Sequence, residues 1–372
     1  MALYDIVFNG GGAKGMAFVG ALETLEGAGH QHRRLIGTSA GAITATMIGA
    51  GYSPRELFTE CTKVDPASGK PVFAAFMDPP ANGSFPKQLV GTCETMTLIK
   101  QAGLSMLGMG LLEEKLIEAL LHLELYRELF SFNECGGFYA GDVALNWIRQ
   151  HLVQKGFAAD VTWAQFDKAT GKDVSVVTTD VTEKEMVVLN VRTAPNIPVA
   201  ESVRMSMSIP FVWQEMVWKP EWGQYLGRDK AGHIFVDGGV LSNFPLRLIA
   251  EGTPDVVAIM GDTDPKGALN LGLYLDASIM VPGAEDSDTR RPRLRAADRV
   301  TQLIDTLTDS ADLAVMRQYG ANICRLPVGG YGTTEFRMSS ERQELLIGSG
   351  KAALQNYFAA SAKAVAVRAA VA

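Results

Sequence analysis

Cysteine is scarce. The 372 residues hold four, Cys61, Cys93, Cys135 and Cys324, at irregular spacing. They form no CxxC pair and no metal-ligand pattern, so buried reduced thiols are expected. Positive charge is not in surplus either. A net charge of −7 argues against the basic footprint of a nucleic-acid binder. No apolar run reaches ~18 residues, so no spanning helix is expected. The chain opens on "LYDIVF" and lacks the charged and then apolar segments of a secretory signal. A cytoplasmic location is expected; contact with a membrane surface and export by a signal-less route fit the same features. Histidines number five, His30, His32, His122, His151 and His233, and none lies beyond 233. No ligand cluster is visible, so no metal or cofactor is expected.

What is present suits a globular chain with a sizeable core: hydrophobic residues are 47% and charged residues 20%. The N-terminal unit reads strand, glycine loop, helix, strand, turn, helix. "YDIVFN" is a short apolar run, and Phe18, Val19, Leu22 and Leu25 follow at helical spacing. "RRLIG" reads as a second strand and "AGAITATMIGAG" as a helix of small residues. His30 and His32 fall in a polar loop between these elements and are expected to be solvated. Alternation of this kind predicts a parallel sheet covered on both faces, an α/β three-layer sandwich. Residues from about 60 to 150, with a Pro/Gly-rich section and then a Met-rich one, read as a helical insertion or cap. Strands resume at "VSVVTTDVTEKEMVVLN", around a turn at Thr182 to Glu185, and at "HIFVDGG" (233 to 239). "PLRLIAEG" reads as a helix, "PDVVAIMGD" (254 to 262) as a further strand, and 285 to 299 as a charged loop. The expected organisation is a catalytic core over 1–262, with 263–372 as the C-terminal part of the same domain, ending in a helical tail.

The burst of glycines at Gly10, Gly11, Gly12 and Gly15 matches a dinucleotide fingerprint when read alone. Such a loop presents backbone N–H groups to an anion, either a phosphate or a transient oxyanion. A dinucleotide site needs an acidic residue near the end of the second strand. No Asp or Glu occurs between Glu26 and Glu56. A Walker loop fails as well, because Lys14 is followed by Gly15. Gly37-Thr38-Ser39-Ala40-Gly41 stands there instead. That pattern sets a serine on a tight strand-to-helix turn, at a helix N-terminus that favours developing negative charge. The first loop is then better read as an oxyanion hole than as a phosphate cradle.

A Ser-His-Asp arrangement has little support. His233, at the start of an apolar strand, is the one histidine with any claim to be a base. "FVDGG" offers another: Asp237 at the C-terminal end of a strand, leaving it in the same sense as Ser39 so that both meet at one edge. Asp-Gly is equally a common turn pair, so a turn-shaping role stands beside the catalytic one.

With "GGGAKG" (10 to 15), "GTSAG" (37 to 41) and "DGG" (237 to 239) in this order, the sequence resembles the patatin-like phospholipases, lipid acyl hydrolases with a Ser-Asp dyad. "VVTTDVTEKEMVVL" (176 to 189) and "RMSMSIPFVW" (204 to 213) match too. The resemblance implies Ser39 as nucleophile, Asp237 as base, oxyanion donors at Gly10, Gly11 and Gly12, and motif glycines at Gly15, Gly37, Gly41, Gly238 and Gly239. Asn9 departs from the Asp that many relatives carry before the glycines. The activity implied is hydrolysis of phospholipid or lysophospholipid esters through an acyl-enzyme.

The chemistry of the dyad leads to the same class. A free Asp has a pKa of about 3.9, a weak base at neutral pH, so the leaving group must be easy to expel and esters suit better than amides. Lipid substrates need an apolar entrance. The Met-rich run (Met96, Leu104, Met106, Leu107, Met109, Leu111, Leu112) and the cluster Trp213, Trp218 and Trp222 are candidates, with plain core packing as the alternative for each. Three other functions fit the same chain: a soluble esterase or thioesterase, a lipase effector held inactive until a protein or nucleotide activator releases it, and a non-catalytic scaffold.

Overall fold

The computed structural model describes residues 1–64, 71–94, 97, 110–262, 267–284, 306, 313–333 and 335–371. The expected N-terminal unit is there. Strand β1 (Leu3–Phe8) runs through the glycine loop and a short 3-10 turn into helix α1 (Ala17–Gly27); β2 (Gln31–Thr38) runs into α2 (Ala40–Gly49). Helices α3 (Pro54–Thr62), α4 (Lys87–Thr92), α5 (Gly110–Leu120), α6 (Glu124–Cys135) and α7 (Asp142–Gln154) follow, with the short strand β3 (Gly137–Tyr139) between the last two. They make a helical insertion with a small apolar cluster of its own around Val90, Cys93, Ile117, Leu121 and Phe130. Met96, Leu104, Met106, Leu107 and Met109, the side chains of Leu111 and Leu112, and the charged segment 285 to 299 lie outside the described residues.

After α8 (Trp163–Thr170) come β4 (Asp173–Asp180), β5 (Glu185–Leu189), α9 (Val199–Ser206), β6 (Phe211–Trp213), β7 (Met216–Val217), β8 (Gln224–Tyr225), β9 (Arg228–Asp229) and β10 (Ile234–Asp237). Helices α10 (Arg247–Ala250) and α11 (Pro254–Met260), strands β11 (Leu269–Met280) and β12 (Ile323–Gly329), and helix α12 (Ser340–Val371) complete the chain. The main sheet has the order β12-β11-β1-β2-β4-β10-β7, with β5 also on β4. The four pairings from β12 to β4 are parallel, and those of β4 with β5 and β10, and of β10 with β7, are antiparallel.

Side chains alternate across this sheet as the period of two demands. Ile6, Phe8, Leu35, Val174, Val176, Leu271 and Leu273 face the larger core. Val7, Ile36, Val177 and Val188 face a smaller one with α10 and α11. Strands buried on both faces read as nearly continuous apolar runs, which is why "DIVF" and "RLIG" show no polar alternation.

One expected strand is a helix. Residues 254–260 form α11, with Pro254 at its first position and Val256 and Met260 buried four residues apart. A short apolar run with β-branched residues fits either state by periodicity, and proline at the first helical turn decides for helix. The strand that follows is "LNLGLYLDASIM" instead. His30 and His32 are not simply solvated. His30 packs its ring against Tyr4 and Phe358, at 5.4 and 5.0 Å, and His32 is half-buried at the start of β2.

Candidate active site

The site begins where β2 ends. Ser39 follows Thr38 with φ 54° and ψ −120°, a strained conformation for a side-chain-bearing residue, and immediately precedes α2. The flanking glycines permit that turn. A Cβ at Gly37 would land on the Gly41 carbonyl, and a Cβ at Gly41 on the Phe8 carbonyl. Ser39 is buried, and its N–H donates to Ser206 Oγ at 2.9 Å.

Asp237 arrives from the opposite direction. Strand β4 pairs with β5 along Val176 to Asp180, which fills one edge. On its other edge β2 covers Asp173 to Val177 and β10 covers Thr178 to Asp180. Because β10 is antiparallel to β4, the strands β2 and β10 meet head to head. Thr38 pairs with Val177 and Asp237 with Thr178, two consecutive residues of one strand. Both residues thus stand at the carboxyl ends of their strands and reach one point of the sheet, but the two strands run in opposite directions and meet end to end rather than side by side. Asp237 is 4% exposed, and its Oδ1 accepts the Gly239 N–H at 2.7 Å. Gly238 fits because a Cβ there would strike the Val177 carbonyl and come within 3.0 Å of Thr38 Cγ2.

The glycine loop closes the third side. A Cβ built on Gly10 would lie 3.3 Å from Ser39 Cβ, and one on Gly15 would lie 3.2 Å from Ala40 Cβ. The loop is tied down at both ends. Asn243 O accepts the Gly10 N–H at 2.9 Å and Asn9 Nδ2 at 3.1 Å, while Thr333 O accepts the Ala13 N–H at 2.9 Å. This corrects one expected role. The Gly10 N–H is already engaged, so it is not a donor to an oxyanion. Among the described residues the N–H groups of Gly11 and Gly12 have no acceptor. Asn9 is buried, and its Oδ1 accepts the Leu275 N–H at 3.2 Å, so it anchors the loop on β11.

An apolar cleft opens beside Ser39. Met16, Val19, Ile43, Leu57, Phe58, Phe73, Phe76, Met207, Ile209, Trp213 and Phe336 line it, with the hydroxyls of Thr44 and Thr333. Counted out to open solvent its space is about 820 Å³. Of the three tryptophans considered for a lipid interface, Trp213 lines this cleft. Trp218 and Trp222 are core, packed edge-on at 5.9 Å, and all three are almost fully buried.

His233 is not in this cluster. It lies four residues before Asp237, about 13 Å of extended chain, with Nδ1 2.9 Å from Asp180 Oδ2. Asp180, Glu183 and His233 bring ligand-type atoms together, a grouping the sequence did not show. Lys230 Nζ already sits among these carboxylates, 2.8 Å from Asp180 and 2.6 Å from both Glu183 and Glu185. The cluster thus has its own cation. Asn243, Thr333 and Ser206 are site residues that motif reading missed. Ser206 falls inside the quoted "RMSMSIPFVW" block, whereas nothing in the sequence marks the other two.

A family model for patatin-like phospholipase matches residues 6–250. The chain belongs to that family. Its patatin-like membership makes it a lipid hydrolase. It is 27% identical to YqhO of Bacillus subtilis (strain 168) over 358 residues, covering 93% of this chain and 95% of YqhO. It is 20% identical to the probable lipid hydrolase 463L of Invertebrate iridescent virus 6, covering 65% of this chain and 61% of that protein. Among solved structures it resembles VipD from Legionella pneumophila (17% identity, TM-score 0.43, 96% of this chain and 67% of VipD). The type III effector ExoU also matches (13% identity, TM-score 0.41, 96% of this chain and 52% of ExoU).

Proposed function

We propose that this patatin-like protein hydrolyses carboxylic esters of phospholipids or lysophospholipids, with Ser39 as nucleophile and Asp237 as general base. The observation that carries the reading is the head-to-head arrival of β2 and β10 on one edge of β4, which delivers Ser39 and Asp237 from neighbouring register positions. Ser39 Oγ attacks the acyl carbonyl carbon as its proton passes to Asp237. The carbonyl oxygen becomes an oxyanion that the Gly11 and Gly12 amides stabilise, with the N-terminus of α2 adding favourable potential. Collapse breaks the C–O bond, and Asp237 returns the proton to the departing alcohol. Water then attacks the acyl-enzyme, Asp237 takes its proton, and fatty acid leaves as Ser39 regains a hydrogen. The apolar cleft beside Ser39 suits the acyl chain, and among the described residues its lining supplies no charged group to bind a head group.

Product analysis by mass spectrometry on a mixed phospholipid extract tests this. The expected result is free fatty acid with matching lysophospholipid or glycerophospho-compounds, absent with Ser39→Ala. Turnover confined to short soluble esters, with the lipid extract untouched, would show a soluble esterase instead.

A further inference from the structure

The block "RMSMSIPFVW" has no role in the chemistry above, yet it touches both reacting residues. Ser206, the last residue of α9, is wholly buried. Its Oγ accepts the Ser39 N–H at 2.9 Å and donates to Val177 O at 2.5 Å. Val177 is the residue opposite Thr38, so the hydroxyl bridges the two strands at the point where β2 leaves the sheet. The same Val177 carbonyl is what a Cβ at Gly238 would strike. Two residues on, Ser208 O accepts the Asp237 N–H at 2.8 Å. Arg204, buried one turn earlier, holds this stretch in place through Ala140 O, Gly141 O, Gln214 O and the Ser208 hydroxyl.

We propose that Ser206 is a positioning residue for the nucleophile: its hydroxyl fixes the Ser39 backbone in the strained turn and so sets the approach of Ser39 Oγ to Asp237 and to the acyl carbon. The strained φ of Ser39 explains the need. A turn of this kind relaxes unless its surroundings over-determine it. The Ser39 N–H points away from the regular ladder, and Ser206 Oγ is the acceptor that meets it. A misplacement of about 1 Å at a reacting atom costs on the order of 10²-fold in rate.

The inference rests on Ser39 being the nucleophile, so Ser39→Ala is measured in parallel. Three variants of the full chain are compared with the parent on a short soluble ester: Ser206→Ala, Ser206→Thr and Ser202→Ala. Rates are expressed per active site, titrated with a fluorophosphonate, so that a loss of folded protein is not counted as a loss of kcat. Ser202 is a fitting control because it is buried in the same helix and its Oγ serves Trp163 Nε1, away from the reaction.

Ser206→Ala is expected to lower kcat per site by ~10- to 100-fold with KM nearly unchanged. Ser202→Ala is expected to lose thermal stability without losing kcat per site. Ser206→Thr keeps the hydroxyl but crowds a closed site, so it should be less stable than Ser206→Ala and yet faster. A packing role alone would rank the rates by stability. If the alanine protein does not fold, Ser206→Cys, a weak acceptor that fills the space, takes its place with the same expected loss. Parent-like kcat per site in Ser206→Ala or Ser206→Cys, beside an inactive Ser39→Ala, overturns the positioning role and leaves the nucleophile assignment standing. Turnover that survives Ser39→Ala overturns both.

Discussion

At the scale of single residues, the dyad reading makes a demand that a triad does not. Asp237→Asn keeps shape and removes the base, and no second proton acceptor stands beside Ser39 among the described residues. Turnover of Asp237→Asn should therefore fall nearly as far as that of Ser39→Ala, and the double variant should be scarcely worse than either, because the pair acts as a unit. His233→Gln should keep substantial activity, since that side chain serves Asp180. Steady-state rates of the four proteins decide, and a folded but inactive His233→Gln beside an active Asp237→Asn would reverse the assignment. The oxyanion loop gives a second test. Gly12 has φ +56° and no room for a Cβ beside the Thr333 backbone, so alanine there disturbs the fold along with the chemistry. Gly11, with φ 166° and ψ 16°, lies outside the left-handed region, and its Cβ would meet only the tip of Leu275. Gly11→Ala should keep its melting temperature within a few degrees and lose on the order of 10²-fold in kcat through a displaced N–H. Unchanged kcat would remove Gly11 from the oxyanion hole. Ser39, Asp237 and the glycines were legible in the sequence because their motifs encode backbone shapes that few other residues permit. Ser206, Asn243 and Thr333 were not, because they act through hydrogen bonds made across the fold.

At the scale of elements, the strands next to the site are braced by a buried ion cluster. Lys230 and Asp180 are both fully buried and 2.8 Å apart, with Glu183, Glu185 and His233 completing the group. Burial alone would raise the pKa of Asp180, but the hydrogen bonds from His233 and Lys230 outweigh it and hold the carboxyl below its ordinary value. Burial would likewise lower Lys230, and its three carboxylate partners raise it instead. The signs follow from linkage. The contribution of Asp180 is present above its unfolded pKa of about 4 and is lost as pH falls through the lower folded value. The contribution of Lys230 is full below its unfolded pKa of about 10.4 and is lost as pH rises through the higher folded one. Lys230→Met leaves buried carboxylate charge without its cation and should cost about 3–5 kcal/mol at neutral pH. It should also flatten the acid limb of a melting-temperature profile below about pH 4. A variant that melts like the parent at pH 7 would show that the cluster contributes nothing. The hairpin of β4 and β5 was legible from its sequence, but its ion cluster and the reversed direction of β10 were not. Strand direction is set by the path of the chain across the whole fold, and no local pattern records that.

At the scale of the whole molecule, the matched family region and the folded unit do not end at the same place. The family model stops at residue 250, and the first three motifs all lie before it. Yet β1, which carries the glycine loop, has β11 on its outer edge and β12 beyond that. The loop itself depends on this later chain. Asn9 N–H donates to Leu273 O, Asn9 Oδ1 accepts from Leu275, and Ala13 donates to Thr333 O. Helix α12 packs on α1 with backbone against backbone: a Cβ at Gly20 would strike the Ile347 carbonyl, and one at Gly350 the Ala17 carbonyl. Such closeness leaves a long uncovered groove on α1 when the partner is removed. We therefore expect residues 263–372 to belong to the same folding unit as the core. A chain ending at Asp262 keeps Ser39, Asp237 and every glycine of the motifs, but it exposes the edge of β1 and the apolar face of α1. Open parallel edges of that kind invite association rather than folding. The truncated protein should show no cooperative thermal transition by circular dichroism and no esterase activity per mole. Supplying 263–372 as a separate chain during refolding should restore part of both, because β11 and β12 pair with each other to complete the sheet edge and α12 covers α1. A truncated protein that melts cooperatively and turns over ester at the parental rate would show instead that the motifs and their first sheet suffice, and that β11, β12 and α12 are an appendage.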